Sequence, residues 1–80
     1  MRVSVLYFGV LRDLVGTRES SVELAAGATV AGLLEALRTP ETAVWKTLAV
    51  AVNRDYAGLA TVLQEGDEVA LLPPVSGGSR

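Results

Sequence analysis

TVAGLLEALRTP, residues 29–40, is the stretch that decides the fold. Val30, Leu33, Leu34 and Leu37 recur at i, i+3, i+4 and i+7, which gathers them on one face of a helix. Thr29 stands at the N-cap position, its hydroxyl free to accept from an unpaired N–H of the first turn. Arg38 falls in the last turn, near the negative end of the helix dipole, and Pro40 ends the run. One main helix of about nine residues with a single apolar stripe needs a sheet to lie on.

Working outward, the flanks supply that sheet. VSVLYF at 3–8 is β-branched and aromatic, and apolar on both alternating faces apart from Ser4, as a central strand would be. Gly9 breaks it. Val10, Leu11, Leu14 and Val15 then fall at helical spacing and Gly16 closes a short helical turn. ESSVEL at 19–24 alternates, with Ser20, Val22 and Leu24 on one face, and reads as a half-exposed strand antiparallel to the first. Beyond Pro40, ETAVWKT at 41–47 suggests another helical turn that packs Trp45 on the core. LAVAV at 48–52 is a short buried strand, Asn53-Arg54-Asp55 a turn, and the chain through Thr61 irregular. Gln64-Glu65-Gly66-Asp67 is a second turn and EVALL at 68–72 the last strand, stopped by Pro73-Pro74.

Strand, turn, strand, helix, strand, irregular connection, strand gives an α+β fold with a mixed sheet packed on one main helix. The ubiquitin-like β-grasp fits this order. That fold, rather than any periodicity, implies that the first and last strands are parallel neighbours at the sheet centre. Residues 1–75 form the β-grasp domain and 76–80 an extended, mobile tail whose glycines have no apolar anchor beyond Val75.

Composition narrows the chemistry. The chain has 80 residues, 50% of them hydrophobic, with no Cys and no His. A domain this small buries a little over 60% of its unfolded surface, so some of the apolar excess stays outside and asks for a partner. Without Cys or His there is no disulfide framework, thiolate or imidazole metal site, or catalytic triad. A net charge of -2 with scattered basic residues argues against a phosphate-binding footprint, and against nucleic acid as the primary partner. No apolar run approaches the roughly 20 residues that span a bilayer, and no signal peptide opens the chain. The expectation is a cytoplasmic protein that meets neither nucleic acid nor membrane.

No side chain offers itself as a nucleophile. Ser20, Ser21 and Ser76 have no His or Lys to activate them. Asp13 beside Arg12 and Asp55 beside Arg54 read as surface charges, and Glu65, Asp67 and Glu68 as a solvated corner rather than a metal site. The tail remains. Gly77-Gly78 has no Cβ, so an extended backbone there can thread a narrow channel and present a terminal carboxylate to another protein's active site.

The residues LYFGVLRDLVGT at 6–17, VAVN at 50–53 and GDEVALLPPVSGG at 66–78 closely resemble the family of molybdopterin synthase small subunits, along essentially the whole chain. The most specific part is Gly66-Asp67-Glu68-Val69 followed by Pro73-Pro74-Val75-Ser76-Gly77-Gly78, with Phe8-Gly9 and Arg12-Asp13-Leu14 in support. The resemblance implies a β-grasp sulfur carrier that is not an enzyme as an isolated chain. In that family an E1-like activating enzyme uses ATP to adenylate the last glycine, here Gly78. A sulfur donor then makes the thiocarboxylate, and the carrier docks on the synthase large subunit to help build the molybdopterin dithiolene. No cofactor is bound permanently. The resemblance also implies a hydrophobic partner-facing surface at Phe8, Tyr56 and Leu72, leading through Pro73, Pro74, Val75 and Ser76 to Gly77. Phe8 and Leu72 fit ordinary core packing equally well, whereas a loop Tyr56 suits an interface.

The family ends at the second glycine, whereas this chain continues with Ser79-Arg80. A protease, a longer fusion carrying the large subunit, or an engineered end would each account for them. The expectation is that Gly78 accepts sulfur only as the C-terminal residue. Two other readings stand beside the first. Thiamine, tRNA-thiolation and cysteine-synthesis carriers share the fold and the Gly-Gly tail. A ubiquitin-like binding module that transfers nothing is the reading that Ser79-Arg80 favours.

Overall fold

The computed structural model describes residues 1–37 and 48–73. Arg38, Pro40, Trp45 and the tail from Pro74 onward, with the expected domain boundary after Val75, lie outside the described residues. Seven elements follow in chain order: β1 (Arg2–Tyr7), α1 (Val10–Val15), β2 (Glu19–Glu23), α2 (Val30–Leu37), β3 (Ala49–Val52), β4 (Asp55–Ala57) and β5 (Glu68–Leu72). They form one mixed five-stranded sheet in the order β2-β1-β5-β3-β4. β1 and β5 run parallel, Val5 opposite Val69, and every other pairing is antiparallel. This is the expected β-grasp, with the first and last strands adjacent at its middle.

Alternation along the strands builds the core. Val3, Val5 and Tyr7 of β1, Val50 of β3 and Val69 and Leu71 of β5 turn inward and meet Val30 and Leu33 of α2. Each such Val or Leu side chain removed from water contributes about 1.5–3 kcal/mol. Thr29 caps α2 as expected, its Oγ1 accepting from Gly32 N at 3.2 Å.

Two expectations need correction. Residues 55–57, read as turn and irregular chain, are the edge strand β4, with Val52 opposite Asp55 and Ala51 opposite Tyr56. Asn53 and Arg54 alone make the turn, both at positive φ (51° and 74°), the two-residue geometry whose twist suits a tight hairpin. The strand is too short for a period-2 pattern, and its Asp disguises it. The remaining connection is irregular yet structural. Thr61 O and Leu59 O accept from Val30 N and Ala31 N at 2.9 and 3.0 Å, which satisfies the free donors of α2, and Leu63 N donates to Ala28 O. Leu63, to which the sequence reading assigned no element, is 1% exposed.

Candidate docking face and tail root

The residues facing away from α2 are not the polar set that a solvent-facing sheet surface carries. Leu6 lies opposite Ala70, Ala70 opposite Ala51, and Ala51 opposite Tyr56, so one apolar row crosses β1, β5, β3 and β4. Leu72 faces Ala49 in the next row, towards the end of β5 from which the tail departs. In the opposite direction the surface turns polar, with Ser4 facing both Glu68 and Ser21. The apolar part of this outer face is therefore the part nearest the tail.

Of the residues singled out for docking, Tyr56 is 83% exposed and Phe8, just beyond β1, 44% exposed, so neither serves the core. Leu72 is half-buried on the outer face, and Pro73 is half-buried at the root of the tail. Pro74, Val75, Ser76, Gly77 and Gly78 lie outside the described residues. Leu6 and Ala70 escaped the sequence reading, although each stands two residues before a named one, Phe8 and Leu72, and the strand period of two points to both.

Gly9 fixes the tail root. Its backbone, at φ 59° and ψ −134°, is one that only glycine adopts without strain. A Cβ placed there would come within 2.9 Å of Pro73 Cγ. Phe8 N also donates to Leu71 O at 3.2 Å, which continues the β1–β5 ladder one residue further. The start of α1 and the first residue after β5 are thus in direct contact, and Pro73 sits where glycine leaves room.

The other polar groups are occupied structurally. Asp67 accepts from Gln64 N at 2.9 Å and from Asn53 Nδ2 at 3.0 Å, while Asn53 Oδ1 accepts from Glu68 N, tying the β3–β4 hairpin to the turn before β5. Glu65 accepts from Arg2 N at 2.9 Å. Among the described residues no group of three or more carboxylates is placed to hold a metal ion. Tyr7 and Ser20 share a hydroxyl hydrogen bond of 2.8 Å between β1 and β2. At the far end of the sheet the Arg2 guanidinium donates to Glu23 at 2.9 Å, and that bond, aided by the opposite charges, holds the Glu23 carboxyl below its ordinary range and raises Arg2. The described surface places an apolar face beside the point where the tail leaves β5. No helix among the described residues is long and apolar enough to cross a membrane.

Comparison with known proteins identifies the family. The ThiS family matches residues 5–78. A molybdopterin synthase sulfur carrier subunit from Chlamydomonas reinhardtii is 39% identical over 98% of this chain and 100% of its own. Among solved structures, small archaeal modifier protein 1 of Haloferax volcanii superposes with a TM-score of 0.79 at 27% identity, covering 92% of this chain and 98% of that one. A chain in the complex of subunits 1 and 2 of the molybdopterin-converting factor from Helicobacter pylori gives a TM-score of 0.69 at 28% identity, covering 98% and 100%. The fold, the match across the tail and the full-length likeness agree, and the chain belongs to the ThiS family, resembling its molybdopterin synthase sulfur carrier subunits from end to end.

Proposed function

We propose that this protein is the sulfur-carrier subunit of a molybdopterin synthase, and that, once Gly78 is exposed as the C-terminal residue, it presents that glycine to two successive partners. The observation that carries the reading is the apolar row Leu6–Ala70–Ala51–Tyr56, placed beside the root of the segment that carries Gly77-Gly78. An apolar surface next to a side-chain-free end serves a protein whose reactive group is its main-chain carboxylate.

An E1-like enzyme supplies the first chemistry. The Gly78 carboxylate attacks the α-phosphate of ATP, pyrophosphate leaves, and an acyl-adenylate forms. A sulfur donor then displaces AMP and leaves a thiocarboxylate. Docked on the synthase large subunit, the thiocarboxylate sulfur bonds to the pterin substrate, and water then hydrolyses the acyl–sulfur bond, leaving the sulfur on the pterin and returning the Gly78 carboxylate with one oxygen from water. Two such deliveries complete the dithiolene. The carrier's own residues bind and orient: the outer face docks, Gly9 and Pro73 set the direction in which the tail leaves, and residues 76–78 carry the reacting end. The partners supply every catalytic group, which suits a chain without Cys or His. Pro73-Pro74-Val75-Ser76 before the glycines favours this pathway over thiamine, tRNA-thiolation or cysteine synthesis.

Two forms of the chain, one ending at Gly78 and one continuing through Ser79-Arg80, are incubated with ATP, the activating enzyme and a sulfur source, and their intact masses compared. The form ending at Gly78 is expected to exchange one oxygen for sulfur and the longer form to stay unchanged. A thiocarboxylate on the longer form would overturn the assignment to Gly78, and none on either would overturn the carrier reading.

A further inference from the structure

Beside the apolar row, on its β2 flank, the surface opens into a cleft of about 370 Å³. Its floor is shared with the docking face through Leu6 and Phe8, it runs to Gly9 at the tail root, and Arg12 and Arg18 reach it from α1 and from the chain entering β2. Glu19, the neighbour of Leu6 across β1 and β2, stands on the same cleft. Both arginines are exposed, and among the described residues neither has a carboxylate within ion-pair distance, Glu19 included. Arg2, by contrast, is committed to Glu23 at the far end of the sheet. In a chain of net charge -2, two uncommitted guanidiniums converging on one cleft make a local positive site against the overall sign.

Resting on the reading above, we infer that the Arg12–Arg18 cleft receives an acidic side chain of the synthase large subunit, seated at the rim of the apolar outer face next to the tail root. Continuity with the docking face selects the occupant, because a surface that covers Leu6 and Phe8 also closes over the cleft. Charge selects its chemistry: a guanidinium pairs with a carboxylate through parallel N–H···O bonds, and covering the pair strengthens it relative to open water. Rim charges of this kind steer encounter and fix orientation more than they add affinity. Their place beside Gly9 and Pro73 would then align the tail with the partner's channel as the outer face seats.

The test measures association of the full chain with the purified large subunit, as rates and equilibrium, for wild type, Arg12→Gln, Arg18→Gln, the double variant and Arg54→Gln. Arg54, on the hairpin tip beyond β3, is also exposed and controls for loss of net charge. Circular dichroism confirms folding, and Tyr56→Ala reports on the docking face itself. The double variant is expected to bind about tenfold more weakly at ~20 mM salt, mostly through slower association, and the gap to narrow to about twofold at ~0.5 M. Arg54→Gln is expected to change binding less than twofold. A double variant that binds like wild type with the same salt dependence, while Tyr56→Ala weakens binding, overturns this inference alone. Equal losses from Arg54→Gln and from either single cleft variant overturn it as well, because net charge would then suffice. A wild-type chain that does not bind the large subunit overturns the docking reading and the inference together.

Discussion

Leu71 and Leu72 are neighbours in β5, alike in chemistry and opposite in fate. Leu71 turns under α2 and is fully buried with Val5, Val69 and Leu33, whereas Leu72 turns outward and stays half-exposed beside Ala49. The same contrast holds along β1, where Val3, Val5 and Tyr7 are buried and Leu6 is not. Both faces of the central strands carry apolar residues, yet among the described residues α2 packs on only one of them. The inner face supplies most of the described core, and of the outer row Ala51 is buried while Leu6, Ala70, Leu72 and Tyr56 stay partly or largely exposed. Strands buried on both sides read as continuous apolar runs, and under the proposed function the second cover is the docked partner.

The sharpest way to break this comparison is to truncate the two leucines separately. Leu71→Ala is expected to cost about 2–5 kcal/mol in urea denaturation, since it opens a cavity in a closed core. Leu72→Ala is expected to cost about 1 kcal/mol or less and to weaken binding of the large subunit instead. Equal costs would mean that the faces do not differ. Gly9→Ala should come next. It adds left-handed backbone strain to a 2.9 Å approach to Pro73 Cγ, and ring closure on the backbone keeps that atom from swinging aside. A loss of about 1–3 kcal/mol is expected, with slower sulfur loading at Gly78 measured separately at a temperature where the variant is folded.

Tyr56→Ala sharpens the comparison from the other side. A residue 83% exposed contributes little to its own fold, so the thermal midpoint should move by no more than about 0.5 kcal/mol equivalent. Affinity for the large subunit should fall about tenfold, as for an aromatic anchor at an interface. The smallest effect belongs to the polar end of the sheet. Glu23 has its folded pKa lowered by Arg2, so what the pair adds to stability is present above the ordinary carboxylate pKa and lost as pH falls through the lowered value. Thermal midpoints of wild type and Glu23→Gln should therefore converge as acid is added, while docking is unchanged.

How much of this was legible in the sequence follows the same two faces. β5 was found with its bounds, and α1, the Thr29 cap and the apolar stripe of α2 were read correctly, because each rests on local periodicity or a local hydrogen bond. β4 was missed since three residues carry no period, and Leu63 because its burial comes from non-local bonds between its loop and the start of α2. The outer face was half legible. Phe8, Tyr56 and Leu72 were named through family likeness, but an apolar strand does not announce which of its sides the chain will cover. Only register, which aligns Leu6, Ala70, Ala51 and Tyr56, turns scattered residues into a surface. Gly9 read as a strand breaker, and its role at the tail root needed the position of Pro73.

The claim that one face folds and the other docks can be watched directly by following side-chain methyl signals while the large subunit is added to the full chain. Leu6, Ala51, Ala70 and Leu72 are expected to shift together, with Val3, Val5, Leu33 and Leu71 unmoved. Shifts confined instead to Leu59 and Val62, the exposed apolar residues of the loop before β5, would contradict it.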